Sequence, residues 1–120
     1  MEKEEIVPTV TATLSISMDG VIQAPGRPDE DTRGGFDRGG WAVPYNDEIM
    51  AQRMAEGMSS SGAMLFGRRT YEDFYVLLIH PLVLGQGRRL FDERGPGVDL
   101  ELVDSVTTSK GVIIATYEPR

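Results

Sequence analysis

Two apolar segments that each read as a β-strand lie unusually close together in the middle of the chain. The first is Ala63–Phe66, and the second is Val76–Leu84, the most apolar stretch of the sequence. After Gly67, only the eight residues from Arg68 to Tyr75 separate them. A crossover between parallel strands takes at least about 10–12 residues, including its helix. The spacing therefore predicts that an ordinary strand–helix–strand unit is strained or absent here.

Length and composition indicate one globular domain. The chain has 120 residues, of which 40% are hydrophobic and 26% charged, and no apolar run approaches the ~18 residues of a membrane span. The N-terminal sequence MEKEEIVPTV lacks the basic and apolar regions of a signal peptide. Because cysteine is absent, disulfides and thiolate metal sites are excluded. These features predict a cytoplasmic protein without a metal.

The net charge of −7 limits the classes of partner. Proteins that bind nucleic acid non-specifically or lie on a membrane surface need a positive field, so neither class is expected. An anionic cofactor remains compatible, because one local basic cluster at a helix N-terminus is enough to bind it.

The first half of the chain predicts a strand, a long loop and a helix. Val7–Ile16 is rich in β-branched residues and ends at the turn Met18-Asp19-Gly20. Val21–Trp41 contains five glycines and two prolines, and loops of this length are usually functional lids or disordered segments. A helix is expected over Glu48–Met58, capped by Asn46 or Asp47. Its apolar stripe, formed by Ile49, Met50, Met54 and Met58, is expected to face the core.

The second half predicts mainly strands. Pro81 within the Val76–Leu84 strand requires an edge position or a bulge. Arg88–Phe91 is expected to form one helical turn. Val98–Val106 and Val112–Tyr117, joined by a turn at Ser109–Gly111, predict a C-terminal antiparallel hairpin.

Gly67 and the three residues after it form a candidate anion site. The predicted strand Ala63–Phe66 runs through Gly67 into Arg68-Arg69-Thr70, where a helix begins. Free N–H groups, the positive end of the helix dipole and two arginines together favour an anion. Arg68 and Arg69 could equally pair with surface acids such as Glu72, and the spacing alone does not separate the two interpretations.

Three single residues invite a functional and a structural interpretation. Asp19 is the only acid of its turn, so it either positions a ligand or handles a proton, or is an ordinary Asp-Gly turn residue. His80, the only histidine, lies in an apolar strand and is expected to be structural. Trp41, the only tryptophan, is expected to anchor packing rather than to form a substrate platform.

Four motifs in order resemble the dihydrofolate-reductase-like family, and more narrowly the stand-alone relatives of the reductase domain of the riboflavin-pathway bifunctional deaminase–reductase. They are SISMDGVIQAPGRPDEDTRGGFDRGGWAVPY (Ser15–Tyr45), LFGRRTYEDF (Leu65–Phe74), HPLVLGQGRRLF (His80–Phe91) and LELVDSVTTSKGVIIATYEP (Leu100–Pro119). The resemblance implies an α/β fold with a mixed sheet and flanking helices. It also implies NADPH as cofactor and hydride transfer to a small pteridine- or pyrimidine-like substrate.

The resemblance also implies residue roles. Gly67, Arg68, Arg69 and Thr70 match the motif that holds the cofactor phosphates. Asp19 and Gly20 match the turn beside the nicotinamide and the substrate, where Asp19 is the catalytic candidate and Gly20 borders the cofactor. Gly85 and Gly87 match a late turn beside the cofactor cleft.

Two features depart from the family pattern. Val21 stands where the riboflavin-pathway reductases usually carry a basic residue, which argues against a ribityl-phosphate substrate. A segment with further strands, a helix and a glycine-rich turn is missing, so Tyr75-Val76 resembles the seam of an internal deletion of roughly 70 residues in a single domain spanning residues 1–120. Two functions follow: an NADPH-dependent reductase, or an inactive remnant or binding protein that forms a homodimer, with segment swapping as one way to complete the sheet.

Overall fold

The computed structural model describes residues 11–61, 74–91 and 97–120. This part of the chain contains four β-strands, one α-helix and, before the helix, two short 3-10 turns at Arg33–Gly35 and Val43–Tyr45. The main elements in chain order are β1 (Thr11–Ile16), α1 (Glu48–Ser61), β2 (Phe74–Ile79), β3 (Leu100–Thr107) and β4 (Ile113–Pro119). No helix in these three ranges is long and apolar enough to cross a membrane.

The strands form one mixed sheet in the order β1-β2-β4-β3. β1 and β2 are parallel, with Thr11 opposite Phe74 and Ile16 opposite Ile79, and α1 lies in the connection between them. β4 pairs antiparallel with both β2 and β3. The α/β class, the mixed sheet and the C-terminal hairpin agree with expectation, whereas the described ranges hold one α-helix where the family resemblance implies several.

The hairpin between β3 and β4 turns at the predicted residues. Thr108 N–H donates to Val112 O (2.8 Å), and Gly111 N–H donates to Thr108 O (3.2 Å). Gly111 has a φ of +81°, a conformation that favours glycine. A tight hairpin therefore delivers β4 to the middle of the sheet.

The central strand is shorter than the apolar run predicted. The run Val76–Leu84 indicates nine strand residues, but β2 begins at Phe74 and ends at Ile79. β2 pairs on both sides, so Pro81, which has no N–H, could not continue it. Leu84 is instead a loop residue within a hydrophobic cluster, and Leu82 packs against that cluster. The prediction was wrong because a buried loop is as apolar as a buried strand.

The helical turn predicted at Arg88–Phe91 is also wrong. Arg89 forms an antiparallel bridge with Val21 instead, and the hydrogen bonds on either side join the same two segments. Backbone hydrogen-bond partners from a distant loop thus replace the local hydrogen bonds of a helix.

The proposed seam at Tyr75-Val76 lies inside β2, whose register with β1 is continuous through it. The predicted strand Ala63–Phe66 falls outside the described residues, so the deletion stays a prediction.

Helix α1 begins where the capping pattern indicates. Asp47 Oδ1 accepts the N–H of Met50 (2.8 Å), which identifies Asp47 as the N-cap. Met50 is buried, and Met54 packs beside it against the sheet, as the apolar stripe predicts. Ile49 is instead exposed to solvent. The N-terminal part of α1 therefore contacts the sheet along a narrower stripe than the sequence suggests.

The buried side chains form two clusters. The sheet cluster lies between α1 and the sheet, and it consists of Met50, Leu78, Val112 and Ile114. The loop cluster lies among the residues that follow β1 and β2, and it consists of Val21, Ala24, Phe36, Trp41, Ala42 and Leu84. The second cluster gives the long segment after β1 a core of its own.

Candidate functional site

The carboxyl ends of the two parallel strands β1 and β2 lie side by side. We call residues 17–41 the β1 loop and residues 80–91 the β2 loop; each leaves the sheet at this edge. In open α/β sheets, ligands bind outside the carboxyl ends of parallel strands. The two loops therefore define the candidate site, and they contain Asp19, Gly20, Gly85 and Gly87.

Backbone hydrogen bonds join the two loops. Met18 N–H donates to Leu82 O (2.9 Å) at the strand ends. Farther out, Leu90 N–H donates to Gly20 O (2.9 Å), and Ile22 N–H donates to Arg88 O (2.8 Å). These bonds flank the bridge between Val21 and Arg89. The loops thus form a short ladder that extends beyond the sheet.

The Asp19 carboxylate lies at the centre of this junction. Its Oδ1 accepts the hydroxyl of Ser17 (2.5 Å) and the N–H of Leu84 (3.1 Å), and its Oδ2 accepts the N–H of Gly85 (2.8 Å). Arg89 Nε donates to the backbone carbonyl of Asp19 (3.0 Å). The Arg89 guanidinium also forms a long ion pair with the Asp19 carboxylate, at 3.9 Å from Oδ2. One side chain therefore connects both loops.

These contacts keep Asp19 ionised. The hydrogen bond from the Ser17 hydroxyl lowers the pKa of Asp19 most; partial burial opposes it, and the N–H groups of Gly85 and Leu84 lower it further. The resulting pKa is about 2, against an ordinary 3.8. At neutral pH this carboxylate holds no proton to donate, so the geometry fits an anchoring role better than proton transfer. Contact between Asp19 and a substrate stays a prediction.

The predicted glycines serve different purposes. Gly20 and Gly85 have positive φ values (+87° and +79°), and no neighbouring atom would crowd a Cβ at Gly85. Gly87 has a φ of +115°, and a Cβ there would lie 2.6 Å from Val21 Cγ1 and 2.9 Å from Phe36 Cε1. Gly87 therefore allows the β2 loop to pack directly on the loop cluster.

The role of Gln23 was not predicted from the sequence. Its buried side-chain amide donates to Asp31 O (3.0 Å) and Arg33 O (2.9 Å), while its Oε1 accepts the N–H of Arg88 (2.9 Å). Gln23 thus connects three stretches of the two loops. A polar residue three positions after a turn glycine carries no pattern that would distinguish it from a surface residue.

A shallow depression of about 310 Å³ lies between the loops. Its lining includes the side chains of Gln23, Arg33, Gln86 and Arg88, with Phe36 among them. Arg33 is held by Asp31 through two hydrogen bonds (2.9 and 2.7 Å), which also hold the pKa of Asp31 well below its usual range. The Gln86 amide donates to Asp37 (2.7 Å). Most polar groups of this depression are thus already bonded within the chain.

Trp41 and His80 pack beneath the site, as the sequence predicts. Trp41 Nε1 donates to Gln23 O (2.7 Å), and its ring meets the His80 ring edge-on at 5.2 Å. His80 is fully buried, and Tyr45 contacts its ring at 5.6 Å. Both residues are buried and pack beneath the loops.

The four residues predicted to hold cofactor phosphates, Gly67, Arg68, Arg69 and Thr70, lie outside the described residues. The structure therefore brings together four of the eight predicted site residues. In residues 11–61, 74–91 and 97–120, no group of three His, Cys, Asp or Glu side chains is arranged to hold a metal ion.

Comparison with known proteins identifies a likeness in structure. The chain matches none of the protein-family models and none of the curated proteins. It is similar to the crystal structure of a "Putative riboflavin biosynthesis protein" from Shewanella sp. PV-4, with a TM-score of 0.50 and 13% sequence identity, over 93% of this chain and 99% of that chain. At this identity the likeness shows the fold alone. The chain therefore shares the overall α/β fold of that protein.

Proposed function

We propose that this protein is an NADPH-dependent reductase that transfers a hydride to a small heterocyclic substrate. The observation that carries the proposal is the meeting of the β1 and β2 loops at the carboxyl ends of two parallel strands, with Asp19 and Gly85 joined there at 2.8 Å. This is the edge where α/β sheets bind nucleotides. The likeness in fold to a protein described as a "Putative riboflavin biosynthesis protein" is compatible with this proposal.

Two arginines of the β2 loop support the proposed cofactor. Arg88 and Arg89 lie in the β2 loop, where they add positive charge to a chain of net charge −7. Bound NADPH would supply the hydride, and Arg68, Arg69 and Thr70 are the residues proposed to hold its phosphates. Gly85 already donates its N–H to Asp19, so its proposed contribution is close approach of the backbone.

We propose that the substrate carries no phosphate next to Val21. The riboflavin-pathway reductases, which this chain resembles, usually have a basic residue at that position. Val21 occupies that position, is fully buried and packs in the loop cluster. Its side chain is therefore unavailable to a substrate phosphate. A flat pteridine- or pyrimidine-like ring is therefore the substrate class that we propose. Hydride transfer to such a ring depends chiefly on positioning and on exclusion of water.

An NADPH titration followed by Trp41 fluorescence tests the proposal. Trp41 is the only tryptophan, and bound NADPH quenches it by energy transfer, because the reduced nicotinamide absorbs where tryptophan emits. We expect saturable quenching at micromolar NADPH and weaker quenching by NADH. If folded protein shows no saturable quenching up to millimolar NADPH, after correction for the light that free NADPH absorbs, the reductase proposal is refuted.

Matched arginine variants locate the cofactor site. Arg68→Ala and Arg69→Ala are each expected to weaken NADPH binding by about tenfold or more, because a charge-assisted contact to phosphate is lost. Arg27→Ala is the control, since the Arg27 side chain is exposed, pairs with Asp29 at 3.8 Å, and its removal takes away the same charge. Equal weakening in all three variants would indicate a nonspecific charge effect.

A homodimeric binding protein is the second candidate, and exposed apolar residues on β3 favour it. β3 is an edge of the described sheet, and Leu102 and Val103 are 53% and 51% exposed. An exposed apolar edge strand is a template for pairing with another chain. Joining two β3 strands would extend the sheet across two protomers.

Light scattering during size-exclusion chromatography tests this second candidate. A dimer that Val103→Lys converts to a monomer would support pairing through β3, because a charged residue opposes edge-to-edge contact. Val43→Lys is the matched control, since Val43 is similarly exposed but lies in a 3-10 turn. A wild-type monomer at every concentration tested would exclude this candidate.

A further inference from the structure

We propose that the junction of the β1 and β2 loops is an anion-binding cradle that the chain fills with its own Asp19 carboxylate, and that a phosphate-bearing ligand binds there by displacing Asp19. The cradle consists of the Ser17 hydroxyl, the N–H groups of Leu84 and Gly85, and the Arg89 guanidinium. In this arrangement Asp19 is an internal substitute for the anionic group of the ligand.

The groups that face the carboxylate are all donors. Two consecutive backbone N–H groups point to its two oxygens, at 3.1 Å from Leu84 and 2.8 Å from Gly85. The Ser17 hydroxyl donates to Oδ1 at 2.5 Å and accepts the N–H of Val21 (2.9 Å), which leaves its proton directed at Asp19. Successive N–H groups of this kind form the concave anion sites of phosphate-binding loops.

Backbone conformation holds the cradle open around the anion. Gly85 follows Leu84 with a φ of +79°, and Gly20 follows Asp19 with a φ of +87°. These two glycines adopt the left-handed backbone conformation, so each loop turns sharply next to the carboxylate. Met18 N–H and Leu90 N–H fix the two loops to each other at points that do not involve the Asp19 side chain. The cradle can therefore keep its shape when Asp19 leaves.

Asp19 is placed where a ligand can compete with it. Its side chain is 18% exposed, so the cradle opens to solvent, and it lies in a turn of one loop while Leu84 and Gly85 belong to the other. A phosphate group carries more charge and more acceptor oxygens than a carboxylate, and it can reach Arg89, which is 3.9 Å from Oδ2. An anion can bind only while Asp19 is out of the cradle. Its apparent affinity is therefore its intrinsic affinity multiplied by the fraction of molecules in which the cradle is free.

An NMR titration with inorganic pyrophosphate tests this inference on the whole chain. Removal of the internal carboxylate in Asp19→Ala is expected to tighten pyrophosphate binding at least ~10-fold, because a cradle occupied 90% of the time or more imposes that factor on the wild type. The amide signals of Leu84 and Gly85 are expected to shift in both proteins. Equal affinities, or shifts confined to other amides, would overturn the proposal.

Two further variants separate the cradle from charge in general. Asp37→Ala removes the same charge from the β1 loop, where Asp37 contacts Gln86 and not the cradle, and is expected to leave the affinity within about twofold of the wild type. Arg89→Ala in the Asp19→Ala background is expected to weaken binding several-fold. A gain in Asp37→Ala that equals the gain in Asp19→Ala would also overturn the proposal.

A neutral variant covers the case in which Asp19→Ala does not fold. Asp19→Asn keeps one acceptor oxygen and loses the charge, so it is expected to fold and to bind pyrophosphate more tightly than the wild type. If both variants are unfolded, added pyrophosphate or formate is expected to occupy the empty cradle and to restore the far-ultraviolet circular dichroism of Asp19→Ala. If neither anion restores the signal, the result counts against the cradle. None of these readouts uses NADPH, so the cradle and the reductase proposal stand or fall separately.

Discussion

Asp19 holds the two loops together as an ionised acceptor, and its contribution to stability therefore depends on pH. Its folded-state pKa of about 2 lies below the ordinary 3.8, so the stabilisation is fully present above about pH 4 and is lost as the pH falls toward 2. The shift corresponds to at most about 2 kcal/mol, and less after allowance for screening by solvent.

Substitution of Asp19 by Asn isolates this effect. We expect the free energy of unfolding of the wild type to exceed that of Asp19→Asn above about pH 4, and the difference to shrink by about 1–2 kcal/mol near pH 2. Urea denaturation at both pH values measures it. A difference that does not vary with pH would show that the charge of Asp19 contributes nothing.

Gly87 and Gly85 form a matched pair, because both have a positive φ but only one is crowded. Gly87→Ala is expected to cost about 3 kcal/mol or more, since its Cβ would lie 2.6 Å from Val21 Cγ1 in addition to the backbone strain. Gly85→Ala is expected to cost about 1–2 kcal/mol, from backbone strain alone. Chemical denaturation measures both, and equal losses would contradict the close approach at Gly87.

Helix α1 and the β3–β4 hairpin meet at Asp47. Its Oδ1 caps the helix through Met50, while its Oδ2 accepts the N–H (2.8 Å) and the hydroxyl (2.6 Å) of Ser109. The hydrogen bond from the Ser109 hydroxyl is the first cause of the lowered pKa of Asp47. Lys110 adds a contact to Pro44 O at 3.3 Å. One capping residue thus fixes the helix relative to the sheet.

Variants at Asp47 distinguish the cap from the attachment of the hairpin. Asp47→Asn keeps the cap oxygen for Met50 and should retain the start of α1, whereas Asp47→Ala should lose both contacts. Hydrogen exchange is the measurement: the Met50 amide is expected to lose protection only in Asp47→Ala, and the Ser109 amide in both variants. Unchanged exchange at Ser109 would mean that the hairpin is held by other contacts.

At the scale of the whole molecule, His80 lies where the two hydrophobic clusters meet. Its Nδ1 lies 2.7 Å from Leu78 O, which can only accept, so Nδ1 carries a proton. Nε2 has no hydrogen-bond partner in the described part of the chain. Burial lowers the pKa of His80 below its ordinary 6.5. Protonation of His80 at low pH is therefore expected to destabilise the packing of the sheet and the loops around it.

His80→Asn tests this acid sensitivity. Because the unfolded chain binds a proton that the folded protein excludes, His80 makes the wild type lose stability as the pH falls below about 6.5. Asn keeps a donor for Leu78 O and does not titrate, so its stability should be nearly constant between about pH 7 and pH 5. Urea midpoints at the two pH values measure the effect, and parallel losses in both proteins would assign the titration to other groups.

Local patterns predicted the elements whose causes are local. The cap at Asp47, the start of α1 and the turn at Ser109–Gly111 follow from side chains and glycines that act on their immediate neighbours. The apolar run after Val76 did not show where β2 ends, because burial in a strand and in a loop selects the same residues. The proposed seam at Tyr75-Val76 and the anion site at Gly67–Thr70 remain predictions from sequence.

The sequence by itself determined that this is one acidic, cysteine-free α/β chain with a glycine-marked turn after its first strand and a C-terminal hairpin. The tertiary structure alone decided how the two loops meet: Asp19 accepts donors 65 and 66 residues away, and Gln23 binds Arg88. The physical reason is that hydrogen bonds between distant segments depend on which strands become neighbours. The parallel pairing of β1 and β2 sets that arrangement, and no spacing along the chain encodes it.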